Sequence, residues 1–155
     1  MTKEVMIAIR GLQFDQEQDS DEIETIQPGE YYKRNGAHYV IFQEYMEGFP
    51  EPVRNMIKFR EHSMELTKKG PIDVHMVFEQ NKKNVTNYRT PYGMMLIGLD
   101  TGKVEVEEEE HRVTLHLGYT LDVNYEYVAD CTICLDIRDR QAADFDLTGT
   151  EKEEM

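Results

Sequence analysis

From Lys3 to Arg138 the chain alternates apolar and polar side chains with a period of two. Val5, Ile7 and Ile9 share one parity, against Glu4, Met6, Ala8 and Arg10. Tyr39 and Ile41 oppose Val40 and Phe42, and Val53, Ile57 and Phe59 oppose Arg54, Met56 and Lys58. Ile72, Val74, Met76 and Phe78 oppose Asp73, His75, Val77 and Glu79. The clearest run sets Val113, Leu115, Leu117, Tyr119, Leu121, Val123 and Tyr125 against Arg112, Thr114, His116, Gly118, Thr120, Asp122 and Asn124. A helix would spread such a set around its circumference, whereas a strand puts it on one side. The last run is long for a strand and predicts a twist or bend, with Gly118 at the bend.

Turn chemistry separates these runs. Asn35-Gly36 is a two-residue hairpin signal. Gly48-Phe49-Pro50-Glu51-Pro52, Lys69-Gly70-Pro71, Asn81-Lys82-Lys83-Asn84 and Asp100-Thr101-Gly102 predict further breaks. Pro28-Gly29 interrupts an extended segment from about Ile23 to Lys33 and predicts a bulge or kink. Thr90-Pro91 and Gly93 separate one extended segment from the apolar run Met94–Leu99, which reads as a strand covered on both faces.

About ten strands joined by short connections, without a long amphipathic helix, imply an all-β fold. A meander of that length leaves two open edges unless it closes, so an antiparallel up-and-down β-barrel is expected over residues 1–138 as a single domain. Residues 139–155 are polar, with six acids and two bases. They carry too little apolar surface to offset the entropy of ordering, so a disordered acidic tail is expected, with a short helix near Gln141 to Phe145.

Charge narrows the partners. The 155 residues carry a net −14, of which the tail supplies −4 and residues 1–138 supply −10. So negative a surface repels phosphates, which argues against nucleic acid and anionic membranes and leaves basic peptides or proteins as macromolecular partners. No apolar run has the length of a membrane span. The stretch after Met1-Thr2-Lys3-Glu4 is too short and interrupted for a signal peptide, so a cytoplasmic location is expected.

Candidate chemistry is sparse. Cys131 and Cys134 form a Cys-x-x-Cys, but on a strand residues three apart face opposite ways, so Cys131 is expected in the core and Cys134 outside. The five histidines, His38, His62, His75, His111 and His116, are scattered without ligand spacing, and no metal or other cofactor is expected. Glu105 to Glu110 lacks the Asp/Asn and glycine pattern of a calcium loop and reads as a solvated hairpin end that discourages edge pairing. No nucleophile elbow, phosphate loop or dinucleotide fingerprint occurs, so the chain is not expected to be an enzyme.

Nine tyrosines, six phenylalanines and no tryptophan make aromatic residues the main resource. A buried tyrosine needs a partner for its hydroxyl, and Glu44, Lys58, Lys68 and Arg89 are candidates. Such a network either closes one barrel end or orients a small amphipathic ligand.

Several segments together resemble the YwiB-like family, a bacterial family of uncharacterised function. They are Pro28-Gly29-Glu30-Tyr31-Tyr32 with Tyr39-Val40-Ile41-Phe42-Gln43-Glu44, Ile57-Lys58, Lys68-Lys69-Gly70, Tyr88-Arg89-Thr90-Pro91-Tyr92-Gly93, Asp100-Thr101 and Gly118-Tyr119-Thr120-Leu121. The resemblance spans most of residues 3–138. It implies a lipocalin-like (calycin) barrel of about ten strands with no established activity. Phe42 stands where the family pattern has tyrosine, and Lys68 where it has arginine; lysine lacks the bidentate fork of arginine. The Gly-x-Trp opening of true lipocalins is missing, so their ligand binding does not carry over.

The leading expectation is therefore a non-enzymatic protein that binds a small, partly apolar ligand, with Tyr39, Glu44, Lys68, Tyr88, Tyr92 and Tyr119 at the mouth and lining. The alternative is a plugged barrel that binds protein, as a homodimer or with a basic partner, through faces bearing Val40, Phe42, Met94, Leu96 and Val77.

Overall fold

Ten strands account for the alternation: β1 Glu4–Arg10, β2 Glu24–Arg34, β3 Ala37–Glu44, β4 Val53–Arg60, β5 Ser63–Lys69, β6 Val74–Glu79, β7 Lys82–Thr90, β8 Gly93–Glu108, β9 Arg112–Val123 and β10 Glu126–Asp139. The structure, a computed structural model, describes residues 1, 3–11, 24–45, 47–71, 73–90 and 93–140. The expectations placed on Ile23, Ile72, Pro91, Tyr92 and the segment from Gln141 onward lie outside these residues.

All pairings are antiparallel, and the strand order is β6-β5-β4-β3-β2-β1-β10-β9-β8-β7. The first strand pairs with the last, Val5 opposite Asp139 and Ile9 opposite Leu135. Every other consecutive pair forms a ladder except β6 and β7, which follow each other through Gln80-Asn81 but are not hydrogen-bonded side by side. The result is a nearly closed barrel with one unlaced seam.

The alternation decides what lies inside. Val5, Ile7, Ile9, Val40, Ile57, Phe59, Leu66, Phe78, Leu115, Leu117, Ile133, Leu135 and Ile137 make one continuous core. Val40 and Phe42 belong to it, which corrects their expected place on the outer wall. The reason is register: Val40 pairs with Tyr31 and Ile57, both buried, so its parity is inward. Met94–Leu99 is not covered on both faces, since Met94 is 53% exposed while Ile97 and Leu99 are buried.

The expected interruptions resolve differently. β2 runs through Pro28-Gly29 with its register to β1 unbroken, so no bulge forms there. A side chain at Gly29 would meet the Ile7 side chain and the Ile41 carbonyl oxygen, so glycine serves close approach rather than a bend. Asp100-Thr101-Gly102 does not end a strand either. Thr101 pairs with Tyr119 and Val104 with Leu117, so Gly102 and Lys103 together oppose Gly118 as a bulge inside β8. Tyr125 turns the chain at the tip of the β9–β10 hairpin, 72% exposed, instead of extending the inward row. β10 continues to Asp139, which is buried.

A meander alternates its ends. The ends of the odd strands and the starts of the even ones lie at one end, here the upper. The hairpins at Asn35-Gly36, Glu61-His62, Gln80-Asn81 and Glu109–His111 lie at the other.

Candidate functional site

At the upper end, beside the unlaced seam, lies a partly enclosed cavity of about 240 Å³. Met76 of β6, Tyr88 of β7, Met95 and Ile97 of β8, Leu121 and Val123 of β9, and Val128 of β10 line it. Because β6 does not ladder onto β7, the two walls part here and the inward side chains stop short of filling the gap. Val128 reaches the cavity through a second irregularity, since the β9–β10 register shifts between Tyr127 and Ala129. Among the described residues of this lining, Tyr88 carries the single polar side-chain group, its hydroxyl.

A second, more polar pocket of about 350 Å³ opens at the same end, between Ile9, Thr25, Gln27, Phe42, Gln43, Glu44, Tyr45, Asn55 and Lys68. Lys68 Nζ donates to Glu44 Oε1 at 2.8 Å and to Asn55 Oδ1 at 2.9 Å. Asn55, fully buried, donates through Nδ2 to Glu44 Oε1 at 3.2 Å. Burial works to raise the Glu44 pKa, but the Lys68 hydrogen bond and charge and the Asn55 amide outweigh it and hold the carboxyl below its ordinary 4.5. An ammonium carries three N–H groups, so Lys68 keeps one donor beyond these two acceptors.

The two pockets are neighbours. Lys68 pairs with Val74 and Leu66 with Met76 along β5–β6. Lys68 of one pocket and Met76 of the other are thus diagonal cross-strand neighbours, about 7–8 Å apart.

Of the residues expected at the mouth and lining, Glu44 and Lys68 meet in the polar pocket, and Tyr88 lines the separate apolar cavity at the same end. Tyr39 does not join them. It lies on the outer wall, its ring stacked on Tyr32 at 4.9 Å with the Lys58 ammonium 5.7 Å from its centroid. Tyr119 is buried in the core, edge-on to Phe78 at 5.0 Å. Its hydroxyl and that of its cross-strand neighbour Thr101 are the buried side-chain oxygens or nitrogens without a conventional partner among the described residues. Burial, with the Cys131 thiol beside it, pushes the Tyr119 hydroxyl well above its ordinary value. Tyr92 lies outside the described residues. The methionines and Val128 of the apolar lining and the buried Asn55 were not anticipated, because which inward residues fail to meet depends on where the sheet is unlaced.

The lower end is closed by polar side chains. The Tyr31 hydroxyl lies 2.8 Å from His38 Nδ1, the His38 ring stacks on Phe59 at 4.7 Å, and Lys33 holds Glu108 at 2.9 Å. Beside them, His111 Nδ1 meets the buried Asp139 carboxylate at 2.6 Å. Among the described residues no cluster of three or more His, Cys, Asp or Glu is arranged to hold a metal ion. No helix among them is long and apolar enough to cross a membrane.

The family described as "Domain of unknown function (DUF1934)" matches residues 7–135. Among solved structures the fold is similar to the crystal structure of the ywiB protein from Bacillus subtilis, with a TM-score of 0.70 and 14% identity over 88% of this chain and 92% of that one. At that identity the likeness shows a shared fold. No curated protein matches the sequence.

Proposed function

Because the chain belongs to the DUF1934 family, a domain of unknown function, its activity has to be read from its own site, and we propose that it binds a small, partly apolar molecule in the seam cavity without transforming it. The observation that carries this reading is the cavity itself: about 240 Å³, walled by six aliphatic or thioether side chains and a single hydroxyl, that of Tyr88. An apolar void of about 150 Å³ already accepts benzene. A ring with a short substituent, or an alkyl chain of similar bulk, suits the volume here. One hydrogen-bonding group would meet Tyr88, and an acidic group on a longer ligand would meet the remaining Lys68 donor next door. Among the described residues no nucleophile or acid–base pair lines the cavity, which favours binding over catalysis.

Calorimetric titration with p-cresol and with n-octanol tests this. The wild type should bind at least one of them, Leu121→Phe should abolish binding by filling the space, and Tyr88→Phe should weaken it roughly tenfold, the value of about one hydrogen bond. Absence of binding by both probes, or binding that Leu121→Phe leaves unchanged, would refute the assignment.

A second reading rests on a different observation. Val85, Met94, Tyr125, Tyr127 and Val128 are all exposed. Val85, Gly98, Asp122 and Tyr127 are successive cross-strand neighbours on the outer wall of β7 to β10. This exposed strip, in which Lys83 already holds Asp122 at 2.6 Å, favours a protein contact through its apolar members, either a homodimer or a basic partner. Sedimentation of the wild type and of Tyr127→Lys separates the two: a dimer lost on substitution supports self-association, and a monomer in both directs attention to a basic partner.

A further inference from the structure

Across four neighbouring strands the outer wall carries one row of chemistry. Arg10 of β1 pairs with Cys134 of β10, Cys134 with His116 of β9, and His116 with Glu105 of β8. Directly paired residues share a face with their Cβ atoms about 5 Å apart. Here the contact is closer, with Cys134 Sγ 3.2 Å from His116 Nδ1. On the next strand Lys103 Nζ holds Glu105 Oε2 at 2.8 Å. Arg10 faces Glu24 at 3.9 Å, and Asp136, two residues along β10 on the same face, is taken up by Arg112 and Arg138.

The row borders a depression of about 260 Å³, open to solvent, lined by Lys103, Glu105, His116, Gly118, Thr132 and Cys134. Two features make it. Gly118 contributes no side chain to this wall, and the Gly102-Lys103 bulge opposite bends β8 locally.

We propose that Cys134 and His116 form a thiol-modification site that accepts a low-molecular-weight thiol from its disulfide. A thiolate is the attacking form, and a neighbouring imidazole that takes the thiol proton supplies it. Cys134 sulfur attacks one sulfur of the incoming disulfide, a new S–S bond forms and the old one breaks. The departing thiolate takes the proton held by His116, so a thiol and a disulfide give a mixed disulfide and a thiol. Lys103 at the rim meets a carboxylate of the incoming molecule. The bond cannot be resolved within the chain. Cys131, the other cysteine, shares the inward parity of Ile133 and packs against the core, on the opposite face of β10. The adduct therefore persists until an external thiol removes it.

Oxidised glutathione is the probe, read by intact mass and peptide mapping. The native protein should gain one glutathione, at Cys134, and Cys131→Ser should leave that unchanged. His116→Gln, an exposed substitution checked by circular dichroism, should slow the reaction at neutral pH on the order of tenfold, at the low end of what a positioned base contributes. It should also steepen the rise of rate with pH, a change that loss of a merely structural contact would not cause. Equal rates and equal pH profiles in the wild type and His116→Gln, attachment at Cys131, or no adduct at all would overturn the proposal.

Discussion

The Tyr31 hydroxyl and His38 Nδ1 sit 2.8 Å apart inside the lower end of the barrel, both residues buried. A neutral imidazole with its proton on Nε2 accepts this bond, whereas a protonated one must donate it and turn the Tyr31 hydroxyl into the acceptor. Burial lowers the His38 pKa from 6.5, Glu108 partly restores it and Lys33 lowers it again. A depressed folded pKa means that the unfolded chain binds the proton more readily, so this stabilisation is present above pH 6.5 and is lost as pH falls through the lower folded value. Denaturation midpoints should therefore drop just below pH 6.5 and level off once His38 is protonated in both states. His38→Phe should flatten that segment of the curve. On the alkaline side, burial first and Glu108 second push Tyr31 up to about 12. Stability linked to its proton is present below pH 10 and is lost as pH rises toward about 12.

The upper-end network titrates in a separate window. Glu44 lies below its ordinary 4.5, so its stabilisation is present above that value and fades as pH falls through the folded one. Lys68→Met removes the charge and hydrogen bond that depress it. The acid limb of the stability curve should then become shallower below pH 4.5, with no change in the His38 segment. Asn55→Ala strips two acceptor or donor partners from a fully buried position and should cost about 1–3 kcal/mol at neutral pH. Urea titration measures both.

Gly29→Ala should destabilise by about 1–3 kcal/mol, the usual range for overpacking. The new methyl would lie 2.7 Å from the Ile41 carbonyl oxygen and against the Ile7 side chain. Ile7 can shift its end, but the carbonyl belongs to the β2–β3 wall. Ile7→Val with Gly29→Ala should recover part of the loss, since the pair are in contact and their effects are not additive.

Tyr125 has φ 70° beside Asn124 at φ 52°, the left-handed pair of a tight hairpin turn. An L side chain there costs about 1–2 kcal/mol. Tyr125→Gly should therefore raise the unfolding free energy by about 1 kcal/mol, against the usual effect of losing an aromatic. If the exposed strip makes a protein contact, the same variant should be more stable and less associated, which a thermal scan and sedimentation would report together.

Much of the barrel was legible in the chain. A period of two is a local property, and Val113 to Val123 declares its inward face without help from any other segment. Asn35-Gly36 turns where it should, with both residues at positive φ. The family resemblance rested on an ordered series of short segments and agrees with the match over residues 7–135. What local pattern cannot carry is register and closure. Val40 and Phe42 have the same alternation whether they face in or out, and only pairing with Tyr31 and Ile57 decides it. Tyr39 was misplaced for the same reason. The cavity was out of reach as well, because Met76, Met95 and Leu121 are ordinary core residues until β6 and β7 fail to meet. Cys134 was correctly set outside, but His116 as its neighbour follows from a pairing eighteen residues away.

Val5 opposite Asp139 has a consequence for how the protein is made. During synthesis the first strand emerges long before its partner, and more than a hundred residues must leave the ribosome before the two can join. Until then the rim of β1 is bare, an invitation to strands of other nascent chains. Assembly by such distant contacts is also slow. Translation is thus a period in which β1 stands exposed, and a polypeptide cut short before β10 should be captured by chaperones rather than accumulate free.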